Sequence, residues 1–227
     1  MNKVIVTGAS RGLGRHFAMR LMDEGFDVVG LARRPDPGLP FETRACDVGN
    51  PEDVDRVFAD LQRDRSVFAL VNAAGVASMN LLVTMPPNTI QRIIATNLTG
   101  TILCCQAIAK ALIRRGEGRI INFSSVAVAL GLKGEAVYVA SKAGVEGFSR
   151  SFAREMADHN VTVNVIAPGP IDTDLIAKVP RRMIQEIVSR QIMPRQAEPD
   201  DAWRIVDLLL KRESAMITGE VFHVGGI

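Results

Sequence analysis

The chain of 227 residues is 47% hydrophobic and 23% charged, a composition typical of a compact globular protein that excludes disordered and fibrous classes. Its 27 basic and 25 acidic side chains give a net charge of +2, and no Lys/Arg run is longer than two. We therefore expect no nucleic-acid or anionic-membrane partner, and small molecules are the expected ligands.

The cysteines and the N-terminus indicate a cytoplasmic protein. Cys104 and Cys105 are adjacent in an apolar helical stretch and Cys46 lies far away, which favours reduced, buried thiols over a disulfide framework. No apolar run approaches the length of a membrane span, and "MNKVIVTG" leads directly into a strand-like run, unlike a signal peptide. We expect a soluble protein that makes no membrane contact.

Along the chain, short β-branched runs alternate with longer amphipathic stretches. Residues 13–24, 51–61, 89–115, 135–159 and 198–211 are predicted helices, and seven runs are predicted strands: 3–7, 27–31, 42–46, 68–72, 119–123, 161–167 and 220–224. Uniformly apolar strands suit a parallel sheet that is covered on both faces. The pattern predicts one doubly wound α/β domain over residues 1–227, with a seven-stranded parallel sheet and helices on both faces.

The connection between the second and third predicted strands departs from this alternation. It consists of "ARRPDPGLPF", residues 32–41, which is too short and too rich in proline for a helix. We predict a loop there, so the helix that would normally follow the second strand is missing.

A glycine-rich loop follows the first strand in "TGASRGLG". Gly8, Gly12 and Gly14 allow a tight turn into the next helix, whose N-terminal N–H groups favour a pyrophosphate. A glycine triad alone often serves only close packing, and its spacing here is one residue longer than the usual fingerprint. Its place between a strand and a helix favours nucleotide binding, for which the loop also offers Ser10, Arg11 and Leu13.

The residues after the second strand predict the choice of cofactor. A free ribose 2′-hydroxyl usually meets an acidic side chain there, whereas a 2′-phosphate calls for arginine. The chain has "LARRP", so Arg33 is the expected phosphate ligand and Arg11 could hold the phosphate from the other side. The cofactor is then NADP(H). The alternative is that both arginines are merely solvated surface residues.

The only tyrosine of the chain, Tyr138, stands four residues before Lys142, on the same face of a predicted helix. A neighbouring ammonium is expected to lower the pKa of the phenol and so make it a general acid/base. In carbonyl reduction Tyr138 would protonate the developing alkoxide while Ser125, after the fifth strand, holds the oxygen. The pair alone could arise by chance, and the glycine loop and the serine provide the context.

The chain resembles the short-chain dehydrogenase/reductase family over essentially its whole length. The motifs that carry the resemblance are "TGASRGLG", "CDV", "NAAG", "NLTG", "SS", "YVASK", "PGPIDT" and "ITGEVFHVGG". The family implies a Rossmann-like fold and a catalytic tetrad of Asn97, Ser125, Tyr138 and Lys142, in which the lysine also binds the nicotinamide ribose and the asparagine holds a water. Ser125 is preferred to Ser124 because it lies thirteen residues before Tyr138, the common family spacing.

The resemblance also implies the remaining cofactor contacts. Asp47 and Val48 are expected at the adenine, the segment Asn72, Ala73, Ala74 and Gly75 along the adenosine, and Ile171 and Thr173 at the carboxamide. Pro168 and Gly169 are further expected cofactor contacts. Two departures are visible: Ala73 replaces the second asparagine of the usual "NNAG", and the helix after the second strand is missing. The missing helix affects the part of the cofactor site around the adenine and any oligomer contact formed there.

Within the family the resemblance is strongest to reductases of 3-oxoacyl thioesters carried on acyl carrier protein or coenzyme A. Residues 171–196 are the expected substrate lid, and Arg181, Arg182, Arg190 and Arg195 could meet a phosphopantetheine or an acidic carrier. They could equally be the polar face of an amphipathic helix.

The sequence is also compatible with two other functions. One is an enzyme acting on another small ketone or alcohol, and one is a non-catalytic NADP-binding regulatory protein, although no tetrad residue is lost. The family implies a homo-oligomer, dimer or tetramer, formed through residues 89–115 and 135–159. His16, His159 and His223 have no metal-ligand spacing, so no metal is expected.

Overall fold

The computed structural model describes residues 1–177 and 179–227; Lys178, which falls in the predicted lid, lies outside the described residues. The strands are β1 (Lys3–Thr7), β2 (Asp27–Ala32), β3 (Glu42–Ala45), β4 (Val67–Asn72), β5 (Gly118–Phe123), β6 (Val161–Ala167) and β7 (Val221–His223). They form one sheet in the order β3-β2-β1-β4-β5-β6-β7, and every neighbouring pair is parallel. The predicted seven-stranded, doubly wound α/β fold is confirmed.

The helices are α1 (Gly12–Asp23), α2 (Pro51–Leu61), α3 (Pro87–Ile94), α4 (Gly100–Arg115), α5 (Ala127–Leu130), α6 (Ala136–Met156), α7 (Arg181–Ser189) and α8 (Pro199–Leu210). Short 3₁₀ turns lie at Leu82–Thr84, Ala157–His159 and Arg212–Ser214. The stretch predicted as one helix over 89–115 is α3 and α4 joined by a π-helical turn, Ala95–Thr99. The sequence did not predict α5.

Each face of the sheet has its own apolar core. On one face α1 and α8 cover the strands with fully buried side chains that include Phe17 and Val206. On the other face α2 contributes Phe58, α4 contributes Ile108 and Leu112, and α6 contributes Met156. The strands β4, β5 and β6 are buried throughout, which explains why their sequences are apolar without alternation.

The crossover from β2 to β3 contains no helix, as predicted. Asp36 closes a turn by accepting a hydrogen bond from the Gly38 N–H at 2.9 Å. Leu39 is buried and Phe41 is partly buried beside the core of the α1 face, so the loop itself covers the sheet there. A Cβ atom on Gly30 would lie 2.6 Å from the Phe41 ring, so the glycine in β2 makes room for that ring.

The continuous helix Pro87–Arg115 is long and apolar enough, by length and composition, to span a membrane. The expectation that no apolar run approaches such a length was therefore wrong. Apolar residues of this helix pack inside the protein, where Ile93, Cys104 and Ile108 are completely buried. All three cysteines are buried with free thiols.

The order of the strands places a crevice above β1 and β4. Chain connections run outward from β1 through β2 to β3 and then return to β4 on the other side of β1. Thr7 is paired with Asn72 at the carboxyl ends of these two strands, and the Thr7 hydroxyl accepts a hydrogen bond from the Ala74 N–H at 3.0 Å. Open α/β sheets bind their ligands at such a switch point.

Candidate active site

A cleft of about 660 Å³ opens at this edge of the sheet. The predicted cofactor residues that line it are Gly8, Ser10, Arg11, Gly12, Leu13, Gly14, Arg33, Asp47, Val48, Ala73, Ala74, Gly75, Tyr138, Lys142, Pro168 and Thr173. Residues that the sequence did not predict also line it: Leu31, Ala32, Arg34, Cys46, Val76, Thr96, Phe123, Ser124, Asp174 and Leu175. Arg34 could have been predicted, since it directly follows Arg33, whereas the others become neighbours only through the fold.

The glycine loop leaves the start of α1 open to the cleft. Gly8 has a φ of 72°, and a Cβ atom there would lie 2.9 Å from the Ala74 Cα, so only glycine fits this turn. No side chain caps the N-terminus of α1, and its first turn holds no acidic residue. Free N–H groups at an uncapped helix start favour an anion. The cradle therefore fits the diphosphate of a dinucleotide.

Basic side chains stand at one end of the cleft. Arg33 and Arg34 are both exposed at its rim, after β2. Arg11 instead faces Asp174 at the beginning of the lid, with 3.7 Å between Nη1 and Oδ2, and both side chains are exposed. This contact differs from the expectation that Arg11 and Arg33 hold one phosphate from two sides. The Asp47 carboxylate accepts a hydrogen bond from the Gly49 N–H, which fixes the turn after β3.

Tyr138 and Lys142 lie in the first turns of α6, at the opposite end of the cleft. They are 7% and 5% exposed, so both polar heads are almost completely removed from solvent. The Lys142 Nζ lies 6.0 Å from the centre of the Tyr138 ring and donates a hydrogen bond to the Phe123 carbonyl at 2.8 Å. The end of β5 therefore fixes the lysine, which in turn lies beside the phenol.

The pKa values of this pair depart from the expectation. Burial raises the pKa of Tyr138 to about 12, although the nearby Ser125 hydroxyl acts in the opposite direction and the Glu135 carboxylate adds to the rise. Burial lowers the pKa of Lys142 to about 8. The expected lowering of the phenol pKa is therefore wrong, because the desolvation of the phenol is the largest cause and raises the pKa. The phenol is held neutral, as a proton donor must be.

Asn97 lies in the π-helical turn between α3 and α4 and is completely buried. Its Oδ1 accepts a hydrogen bond from the Val76 N–H at 2.8 Å, and its Nδ2 donates to the Val76 carbonyl at 2.9 Å and to the Ser141 Oγ at 3.1 Å. The extra residue of a π turn often re-aims a side chain at a functional site. A Cβ atom on Gly75 would be 3.6 Å from both Asn97 Oδ1 and Lys142 Nζ, so these two atoms border the same small space.

The two serines after β5 point in different directions. The Ser125 hydroxyl accepts a hydrogen bond from the Ala127 N–H and is close enough to the Tyr138 phenol to influence the pKa of that group. The Ser124 hydroxyl donates to the Glu146 carboxylate, although the residue also lines the cleft. Of the two serines, Ser125 is therefore the one beside Tyr138.

Three predicted cofactor residues do not line the cleft. The Asn72 side chain turns into the core, where its Nδ2 donates to the Asn122 Oδ1 at 2.9 Å, so the prediction that it lines the adenosine side was wrong for the side chain. Ile171 is buried and forms a β-bridge with Ala197. Gly169 faces the side chain of Gln191. Within residues 1–177 and 179–227, no three His, Cys, Asp or Glu side chains form a group that could hold a metal ion.

A parallel sheet with a glycine cradle at its switch point, beside a buried tyrosine and lysine and a half-buried serine, defines a nucleotide-dependent oxidoreductase. A sequence model of the family described as "short chain dehydrogenase" matches residues 2–183, and the chain belongs to this family. The predicted family and enzyme class are thereby confirmed.

Similar proteins are known over the whole chain. The 3-oxoacyl-[acyl-carrier-protein] reductase FabG of Vibrio cholerae is 36% identical over 231 residues, covering 98% of this chain and 95% of its own. The protein of the same name from Staphylococcus aureus is 35% identical, covering 98% and 96%. The ligand-free aldohexose dehydrogenase (AldT) of Thermoplasma acidophilum superposes with a TM-score of 0.90 at 32% identity, covering 99% of this chain and 93% of that chain.

Proposed function

We propose that the protein reduces the ketone of a 3-oxoacyl thioester with NADPH, and that Asn97, Ser125, Tyr138 and Lys142 are its catalytic residues. The observation that carries the chemistry is the buried pair of Tyr138 and Lys142, which lines the end of a dinucleotide-sized cleft. The choice of substrate is supported by the relatives named 3-oxoacyl-[acyl-carrier-protein] reductase, which match almost the whole chain.

The residues of the chain have separable tasks in this reaction. The cofactor, when bound, supplies a hydride. The Ser125 hydroxyl orients the ketone oxygen, and the neutral Tyr138 phenol gives its proton to that oxygen as negative charge develops. Lys142, charged below its pKa of about 8, stabilises the phenolate that Tyr138 leaves behind. Asn97 fixes the segment around Val76, whose backbone it binds twice.

The choice of NADPH rests on Arg33 and Arg34. Both guanidinium groups reach the rim of the cleft after β2, and guanidinium forks suit phosphate oxygens better than hydroxyl groups. The other nucleotide contacts proposed are those of the glycine cradle and of Asp47, Val48, Ala73, Ala74 and Gly75, which all line the cleft. Pro168 and Thr173 line its opposite end, and Ile171 contributes backbone groups only.

The lid offers basic residues to a phosphorylated or acidic carrier of the acyl group. Arg181 and Arg182 are exposed at the start of α7, and Arg190 is exposed just after its end. Arg195 is different, because its guanidinium makes two hydrogen bonds of 2.7 Å to Asp201 and fixes the beginning of α8. We therefore assign carrier contacts to the first three arginines and a structural role to Arg195.

A second candidate substrate is a sugar. The similarity to the aldohexose dehydrogenase of Thermoplasma acidophilum favours oxidation of a small polyhydroxy compound at the same tyrosine. In that reaction Tyr138 would accept the hydroxyl proton instead of donating one. The Glu135 carboxylate, three residues before Tyr138, has no ion-pair or hydrogen-bond partner among the described residues and would suit a substrate that carries several hydroxyl groups.

One substrate panel decides between these candidates. Purified protein is mixed with NADPH and acetoacetyl-CoA or acetoacetyl-acyl carrier protein, and with NADP⁺ and aldohexoses, and the absorbance of NADPH is followed. We expect turnover of the thioesters, and Tyr138→Phe should lower it by about 10²–10⁴-fold while leaving NADPH binding intact. Sugar oxidation without thioester reduction would establish the second candidate. A variant within threefold of the parent would refute the role of Tyr138.

We further propose that the protein is a cytoplasmic homo-oligomer that associates through the outer faces of α4 and α6. On α6 the rings of Phe148 and Phe152 stack at 5.3 Å and are only partly buried. On α4 the side chain of Ile113 is 37% exposed. Sedimentation of the parent and of Phe148→Ser tests this assembly: the variant should dissociate, and an unchanged oligomer would place the interface elsewhere.

A further inference from the structure

The side chain of Gln191 is buried without a hydrogen-bond partner. The residue is 5% exposed, and neither its Nε2 nor its Oε1 has a partner among the residues that the structure describes. Buried amides are nearly always paired, and each unpaired group destabilises the state in which it stays unpaired. An amide with both ends unpaired therefore needs an explanation.

The amide occupies a slot between two glycines. A Cβ atom on Gly169, in the loop after β6, would lie 2.6 Å from Gln191 Oε1, and a Cβ atom on Gly225, in the turn after β7, would overlap Nε2. The Gly225 carbonyl also accepts a hydrogen bond from the Met193 N–H at 2.9 Å. Only residues without a side chain leave room for the amide, so this slot is shaped around Gln191.

The slot lies directly behind the cofactor cleft. Gly169 follows Pro168, which lines the cleft, and precedes Thr173 and Leu175, which line it from the lid. The backbone N–H and C=O of Gly169 make no hydrogen bond within the described part of the chain. A small movement of this loop would therefore bring free backbone groups to the free amide.

The lid itself is loosely packed. It leaves the sheet near Ile171 and returns at Ala197, where the two residues form a β-bridge. Between them α7 contains no fully buried residue, whereas Gln191 directly beyond it is buried. Segments with few buried contacts open at low free energy. Gln191 is thus the polar anchor at the base of a lid that can move.

We propose that Gln191 is a positioning residue that couples closure of the lid to nucleotide binding. In the open cleft its amide is unpaired. When a nucleotide fills the cleft and the 168–171 loop moves against it, the amide pairs with the backbone of that loop and holds the lid down. The inference rests on the nucleotide site of the proposed function, and it adds the residue through which the lid responds to that site.

The test compares Gln191→Leu with the parent protein. Replacing an unpaired amide by an apolar side chain of similar size removes two unsatisfied groups from the nucleotide-free state. We expect a melting temperature without nucleotide that is equal to that of the parent or higher. NADPH binding, measured by the fluorescence of the nucleotide, should be about tenfold weaker, because two hydrogen bonds formed on closure are lost. Gln185→Leu, on the exposed side of α7, is the matched control and should change neither quantity.

The outcomes separate this inference from the proposed function. If Gln191→Leu lowers stability equally with and without NADPH, the amide has the same partners in both states, for example a buried water, and the coupling is refuted. If Gln191→Leu does not fold, Gln191→Met is measured in the same way. Failure of both to fold would also refute the proposal, since an unpaired amide is not needed for folding. If the parent binds NADPH and Gln191→Leu binds it equally well, only the coupling through Gln191 is refuted. If the parent binds no nucleotide, both the coupling and the proposed function are refuted.

Discussion

Replacing Lys142 by methionine should stabilise the protein near neutral pH and make it inactive. The ammonium is 5% exposed, and burial lowers its pKa from 10.5 to about 8. A lowering of this size corresponds to roughly 3 kcal/mol by which burying the charged form destabilises the folded state. Methionine removes this cost but leaves the Phe123 carbonyl without its donor, which costs about 1–3 kcal/mol.

The sign of the pH dependence isolates the lysine. Below pH 8 the folded and unfolded states both carry the charge on Lys142, so burial of this charge destabilises the folded state by its full amount. Between the folded pKa of about 8 and the unfolded value of 10.5, the unfolded state binds more protons, so the cost shrinks as the pH rises. The parent should therefore gain roughly 2.5 kcal/mol relative to Lys142→Met between pH 7 and pH 10.

The measurement is urea denaturation of both proteins at several pH values from 7 to 10, with activity recorded in parallel. Ionisable groups that do not touch Lys142 cancel in the difference, and the folded-state pKa of Tyr138, about 12, lies above the pH range of the measurement. A difference in the free energy of unfolding that does not change with pH would show that Lys142 is not desolvated as the structure indicates, and the reasoning would fail.

Three further substitutions test the cradle, the rim and the lid. Arg33→Ala should raise the KM for NADPH about ten- to a hundredfold and leave that for NADH unchanged, since only NADPH carries the phosphate; equal losses would mean that Arg33 only supports its loop. Gly14→Ala places a Cβ atom 2.7 Å from the Gly8 carbonyl carbon and should cost about 1–3 kcal/mol in urea denaturation; parent-like stability would contradict this contact. Gly169→Ala should destabilise the parent more than it destabilises Gln191→Ala, because the three atoms nearest to the added Cβ all belong to the Gln191 amide. Additive effects in this double-mutant cycle would refute that contact.

The strands and most helices could be predicted because their signals are local. Buried parallel strands need apolar residues on both faces, so β4, β5 and β6 are visible as continuous runs. The helix α2 begins at Pro51 after Asn50, whose side chain accepts a hydrogen bond from the Glu52 N–H, as its sequence indicated. The weakly packed α7 lacks such support, and only its amphipathic character was visible.

The site was less predictable, because its properties depend on burial and on distant neighbours. The spacing of Tyr138 and Lys142 indicates that they share a helix face, but not that both are desolvated. The acceptor for the lysine, the Phe123 carbonyl, belongs to another element nineteen residues away. The inward turn of Asn72 likewise depends on Asn122 on the neighbouring strand. The burial of the pair and these hydrogen-bond partners cannot be predicted from the residues that are neighbours in the sequence.

The helix-free crossover also affects the order in which the sheet can form. Parallel strands ordinarily need a connection of about a dozen residues or more, and closing a longer loop costs more entropy. Residues 33–41 bring β2 and β3 together over a much shorter stretch than the one that separates β1 from β4. The β2–β3 pair is therefore the parallel pair with the smallest entropic barrier to assembly. Arg33 and Arg34 follow β2 and so belong to this β2–β3 unit, which can form early and locally during folding, before the central strands pair.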